Sequence, residues 1–151
     1  PGLELCDVGD TVQKVLADLR QRTSEQVQTV LAIPDGAQVR MQERHLHLVL
    51  RSLLCNAYDA VQTAPRSPAQ VSVSMRSEPE AVTLEVRDNG PGIAESIRGK
   101  LFEPFVTTKG AAGAGLDLGI TKKVVALYGG QIQVHSDTST GTVFSIQLPH
   151  L

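Results

Sequence analysis

The stretch Asp88-Asn89-Gly90-Pro91-Gly92-Ile93 decides how the chain is read. It follows an alternating segment, Ala81 to Arg87, in which Val82, Leu84 and Val86 share one face. That spacing predicts a half-buried strand breaking into a turn at Asp88. A carboxylate leaving a strand edge is placed to meet a ligand. Gly90 and Gly92 let the backbone approach something flat, and Pro91 stiffens the turn between them.

Upstream, residues 3–8 read as a short strand, and Asp10 or Thr11 as the cap of a helix. In that helix Val12, Val15, Leu16 and Leu19 recur at helical spacing, and it ends near Arg22. Val27 to Ile33 alternates as a strand, and Pro34-Asp35-Gly36 turns the chain toward a second one at Val39 to Met41. The segment from about Gln42 to Thr63 is the clearest helix. Its Leu46, Leu50, Leu53, Ala57 and Val61 fall in one narrow sector at about 100° per residue, which must face the core. Pro65 and Pro68 close it, after which Val71 to Met75 and Ala81 to Arg87 read as a hairpin.

Gly90 to Gly115 is a long connection with little regular pattern, and connections of that length in compact domains are functional or disordered. It reads as a lid. A last helix runs from about Leu116 to Leu127, stopped by Gly129-Gly130, with strands at Gln131 to His135 and Thr142 to Leu148.

With 151 residues the chain is expected to form one domain, 1–151, with a substantial core. A net charge of −2, an aromatic fraction of 3% and the absence of any Lys and Arg cluster argue against nucleic acid as a partner. Cys6 and Cys55 stand in no ligand-spaced pattern and read as reduced structural thiols. No apolar run approaches the roughly 20 residues of a spanning helix, and the start carries no signal pattern. The expectation is a soluble, cytoplasmic domain. Its abrupt beginning at Pro1 suits a piece of a longer protein.

On the long helix, Ser52, Asn56, Asp59 and Thr63 fall within about 40° of one another on the flank of the apolar sector. Alone, such a stripe is a solvated face. Asn56, however, stands between apolar neighbours, and an amide oxygen there suits a hard cation that draws its negative charge from phosphates. Gly110, Gly113, Gly115 and Gly119 form either a mobile linker or the opening of a helix whose free N–H groups and dipole attract anions. An acid at a strand end, a helical Asn–Asp pair and an anion-ready helix start together point to a magnesium nucleotide site.

From Leu46 to Pro149 the chain resembles the ATP-binding catalytic domains of bacterial sensor histidine kinases, within the superfamily of gyrase, heat-shock protein 90 and MutL. Five motifs come in the family's order. Leu46 to Ala60 resembles the asparagine box, Asp88 to Ile93 the first glycine box, and Leu101-Phe102-Glu103-Pro104-Phe105-Val106-Thr107-Thr108-Lys109 the phenylalanine box. Gly113-Ala114-Gly115-Leu116-Asp117-Leu118 resembles the second glycine box, and Gly141-Thr142-Val143-Phe144 the closing Gly-Thr segment.

The resemblance implies an α/β two-layer sandwich: a mixed, mainly antiparallel sheet, about three helices on one face, and an ATP lid over about 93–117. It implies ATP-binding positions at Asn56, Asp88, Gly90, Gly92, Ile93, Phe105, Thr107, Thr108, Lys109, Gly113, Gly115, Leu116 and Thr142. Within that set Asp88 accepts from the adenine amino group, Thr142 shares an ordered water beside it, and Asn56 holds Mg²⁺. Phe102 and Phe105 anchor the lid. No residue is a covalent nucleophile, and the box's acidic base maps to Asp59 only loosely. The implied partners are a histidine-bearing dimerisation domain outside this chain and a response regulator downstream. The parent, which in this family can be membrane-attached, is then a homodimer, and the isolated domain a monomer.

Three positions depart from the family pattern. Asp117 stands where a third glycine is common, and two unit charges ~4 Å apart repel by ~1 kcal/mol in water and ~4 kcal/mol at an effective dielectric of 20. It is expected to lower nucleotide affinity if it points inward. Ser52 replaces the first asparagine, where gyrase-like ATPases carry the glutamate that activates water, and a serine without a partner is no base at neutral pH. Transfer is therefore favoured over hydrolysis. Tyr128 replaces a histidine. None of His45, His47, His135 and His150 has the acidic neighbour of a phosphoacceptor. The alternatives are a degenerate nucleotide-binding scaffold with weak ATP affinity and a serine kinase of the anti-sigma-factor kind.

Overall fold

The alternating segment Ala81–Asp88 forms the middle strand of a five-stranded sheet. The structure is a computed structural model that describes residues 5–19, 27–63, 69–91, 118–137 and 140–149. In chain order these form β1 (Leu5–Asp7), α1 (Val8–Asp18), β2 (Val27–Ala32), β3 (Gln38–Arg40) and α2 (Glu43–Thr63). They continue with β4 (Ala69–Ser77), β5 (Ala81–Asp88), α3 (Leu118–Leu127), β6 (Gln131–Asp137) and β7 (Gly141–Pro149). The strand order is β2-β4-β5-β7-β6, parallel only between β2 and β4, while β1 and β3 pair in a separate two-stranded sheet. The mixed, mainly antiparallel sandwich expected from the sequence is what forms.

Period-two alternation sorts the central strands into a buried and an open face. Val82, Leu84 and Val86 stand across from Leu148, Ile146 and Phe144 of β7, while Leu84 and Val86 also face Met75 and Val73 of β4. All of these side chains are buried. The helices cover that face: α2 packs on β4 and β5 with α1 and α3 on its two sides, and α3 reaches β6. No helix among the described residues is long and apolar enough to cross a membrane.

Two local expectations are corrected. Helix α1 begins at Val8, and its cap is Asp7 rather than Asp10 or Thr11. The Asp7 backbone is still extended, so its Oδ1 reaches the Asp10 N–H at 2.9 Å and satisfies one orphan donor of the first turn. The predicted apolar sector of α2 is too narrow, because Val49, Leu54, Cys55 and Tyr58 are buried beside the five residues assigned to it. As the middle helix of its layer, α2 has neighbours on both flanks as well as beneath.

Tyr58 lies in that core with its hydroxyl paired to Thr29 Oγ1 of β2. Burial holds its phenol above the ordinary value, with the Thr29 hydrogen bond acting the other way. The unfolded chain therefore loses this proton first. Stability from neutral Tyr58 is complete below about pH 10 and is lost as pH rises through the folded value. Urea midpoints measured between pH 8 and pH 11 are expected to fall at the alkaline end, and less steeply in Tyr58→Phe. An equal slope in both proteins contradicts this assignment.

Candidate nucleotide-binding site

The buried rows of the sheet end in polar groups. Asp88 follows Val82, Leu84 and Val86 on the helix-facing side of β5, at 5% exposure, and lies across from Thr142 of β7 and Val71 of β4. Thr142 is 3% exposed and lies across from Ser136 of β6, with the two hydroxyl oxygens 3.1 Å apart. A row of carboxylate and hydroxyls, Asp88, Thr142 and Ser136, thus closes one end of an apolar core.

The Asp88 carboxylate is held by its own turn. Its Oδ1 accepts the Gly90 N–H at 2.8 Å, an Asx-type turn that fixes the rotor. Two glycines make the approach possible. A Cβ on Gly90 would lie 2.9 Å from the carbonyl carbon of Ala60 on α2, so only a glycine lets the chain pass between Asp88 and the helix. Gly141 has φ +107° and presses on the Asp88 backbone, where a Cβ would sit 2.1 Å from the carbonyl oxygen.

Through Ala60 the strand exit meets the polar flank of α2. Asn56, half-buried, is one turn earlier on the helix, about 6 Å along the axis, and the half-buried Asp59 adjoins Ala60. Ser52, a further turn back, is 3% exposed, and its Oγ has no hydrogen-bond partner among the described residues. A neutral amide and an unsatisfied hydroxyl fit a magnesium ion whose charge is met by phosphates. Among the described residues no group of three or more His, Cys, Asp and Glu stands ready to hold a metal by itself.

The structure therefore brings Asp88, Gly90 and Thr142 together and sets the helix turn of Asn56 against them. Gly92, Ile93, Phe102, Phe105, Thr107, Thr108, Lys109, Gly113, Gly115, Leu116 and Asp117 lie outside the described residues, as does the lid built from them. The side chain of Thr63 is likewise outside that set. Ser136 was missed in the sequence. Its signal is the alternation Ile132, Val134, Ser136, read with a β6–β7 register that places it opposite Thr142.

Two further residues gain a role. Tyr128, which stands in place of a histidine, accepts the Gln42 N–H at the start of α2 and pairs with His45 Nδ1, its ring edge-on to the imidazole. His45 is thus a half-buried link between α3 and α2. A cleft of about 450 Å³ beside Glu80, Gln131 and Gln147 opens at the Ala81–Pro149 end of the sheet, away from Asp88.

Residues 41–151 match the family described as Histidine kinase-, DNA gyrase B-, and HSP90-like ATPase. The C4-dicarboxylate transport sensor protein DctB of Rhizobium meliloti is 44% identical over 117 residues, which is 76% of this chain. The chain spans only 18% of that relative's length. Among solved structures, the mycobacterial sensor histidine kinase MprB superposes with a TM-score of 0.81 at 27% identity, covering 97% of both chains. Full-length ShkA in complex with AMPPNP gives 0.80 at 25% identity, covering 97% of this chain and 31% of that one. With that match over most of its length, and with the buried carboxylate and close-packed glycines where the motifs place them, the chain belongs to the histidine kinase-, DNA gyrase B- and HSP90-like ATPase family, as an ATP-binding catalytic domain of the sensor histidine kinase type.

Proposed function

We propose that this domain binds Mg-ATP with the adenine against Asp88 and presents the γ-phosphate to a histidine on a separate dimerisation domain of a homodimeric parent. A response regulator receives the phosphoryl group afterwards. The observation that carries the reading is the buried Asp88, with one carboxylate oxygen fixed by Gly90 at the end of an otherwise apolar core. A carboxylate so placed matches the adenine amino group and opposes a guanine carbonyl, which also accepts. The AMPPNP bound by ShkA supports the same ligand class.

Catalysis here is positioning and charge neutralisation, with no covalent nucleophile on this chain. Asn56 would hold a magnesium ion, which would neutralise phosphate charge. Thr142 would orient a water beside the base. Ser52 leaves the site without a base for hydrolysis, so the phosphoryl group waits for the acceptor imidazole.

Disturbing only outer-shell partners of a metal costs 10–100-fold in affinity, so losing a ligand costs at least about tenfold. Asn56→Ala is therefore expected to weaken ATP binding about tenfold in magnesium and to leave binding in EDTA unchanged, as read by calorimetry. Equal losses in both buffers contradict a metal role.

The reading as a whole is tested by incubating the full-length parent with γ-labelled ATP. Label that is stable to alkali and lost in acid is the expected product, as phosphohistidine. Acid-resistant label points instead to a serine kinase. ATP binding with no label at all supports the scaffold.

A further inference from the structure

We propose that Asn89 is the positioning residue for Asp88: its side chain ends the β4–β5 ladder so that the main chain can turn beneath α2 and lock the carboxylate. The adenine part of this inference rests on the function proposed above.

The register places Gln70 opposite Asn89, one step beyond the pair Val71 and Asp88. In an antiparallel ladder two such residues exchange both backbone hydrogen bonds. Here the first bond is ordinary, with the Asn89 N–H donating to the Gln70 carbonyl at 3.2 Å. The return bond is not, because the Gln70 N–H donates to Asn89 Oδ1 at 2.8 Å. The side-chain amide stands in for the backbone carbonyl, completing the ladder while the main chain leaves it.

That departure is what Asp88 needs. One residue later the Gly90 N–H meets Asp88 Oδ1 at 2.8 Å, and Gly90 lies too close to the Ala60 carbonyl for any side chain. Without Asn89 Oδ1, the Gln70 N–H takes either the carbonyl of residue 89 or water. The first choice straightens the strand and draws the Gly90 N–H off Asp88, and the second leaves the turn untethered. Both unlock the carboxylate. The acceptor oxygen is the active feature, so aspartate at this position serves as well as asparagine, whereas alanine does not.

The test has two readouts on the 151-residue chain, the first without nucleotide. Amide hydrogen exchange at Gln70 and Gly90 is expected to speed up at least about tenfold in Asn89→Ala and to match the parent in Asn89→Asp. Calorimetry then compares ATP with inosine triphosphate, which carries a carbonyl where adenine has its amine. Asn89→Ala is expected to weaken ATP about tenfold and to leave inosine triphosphate unchanged, with Asn89→Asp within about threefold of the parent for both. Unchanged Gly90 exchange in Asn89→Ala overturns the proposal whatever the nucleotide data show. Equal losses for the two nucleotides overturn it in favour of a general structural role, and an Asn89→Asp protein that behaves like alanine overturns the acceptor argument. A parent that binds no ATP refutes the proposed function, while Gly90 exchange still decides the clamp.

Discussion

Gly141→Ala is expected to lower the melting temperature by about 6–12 °C and, at the same time, to weaken ATP binding about a hundredfold. Two costs coincide at this position. A non-glycine residue at φ +107° is strained by roughly 1–3 kcal/mol, and a Cβ placed 2.1 Å from the Asp88 carbonyl oxygen forces overpacking of similar size. Together these come to about 3 kcal/mol, at about 2–4 °C per kcal/mol for a domain of this size. Relief requires a shift of about 1 Å, since Cβ contacts under 3.0 Å do not occur. The atoms that must shift belong to Asp88 and Asn89, and a 1 Å misplacement in a site of this kind costs about a hundredfold. Scanning calorimetry and nucleotide titration of the one variant check both halves. A variant that melts early yet binds ATP as the parent does shows that the Gly141–Asp88 contact serves the fold alone.

Asp88→Asn separates the site from the fold. The Gly90 N–H needs an acceptor on one side, and the adenine amino group needs one on the other. A carboxylate offers both, whereas an asparagine offers one oxygen and one NH₂ group. Whichever way its amide is turned, a donor faces a donor. The loss of a charge-assisted hydrogen bond, about 1.5–3 kcal/mol, corresponds to roughly 10–150-fold in affinity, and the facing donors add to it. A rise in Kd of about a hundredfold or more is expected, with little change in melting temperature because the amide oxygen can keep the Gly90 bond. Unaltered affinity removes Asp88 from the base pocket.

Much of this arrangement was legible in the sequence because it is local. The alternation from Val82 to Val86 fixes which face of β5 is buried and puts Asp88 on it by parity alone. The periodicity of Leu46, Leu50, Leu53, Ala57 and Val61 likewise locates α2 and, with it, the flank of Asn56. What escaped depends on neighbours distant in the chain. The burial of Leu54 and Tyr58 follows from α2 being the middle helix, and the role of Ser136 from a register set by the β6–β7 hairpin. Gln70 and Asn89 are joined only once β4 and β5 are aligned. The choice of Asp7 over Asp10 as helix cap turned on where β1 stops, and three residues of strand give too short a pattern to read.

Ser52 shows what a single substitution does to the chemistry of such a site. Its hydroxyl is buried with no hydrogen-bond partner among the described residues, and under the function proposed above a serine at this position supplies no base for hydrolysis.

The measurement that bears most directly on this account is calorimetric titration of the chain with Mg-ATP, with circular dichroism showing that it is folded. One site per chain with a Kd between about 1 μM and a few hundred μM, roughly −8 to −5 kcal/mol, is the predicted result. Absence of binding in a folded domain contradicts it, and leaves the Asp88 row as the end of a core rather than the floor of a nucleotide pocket.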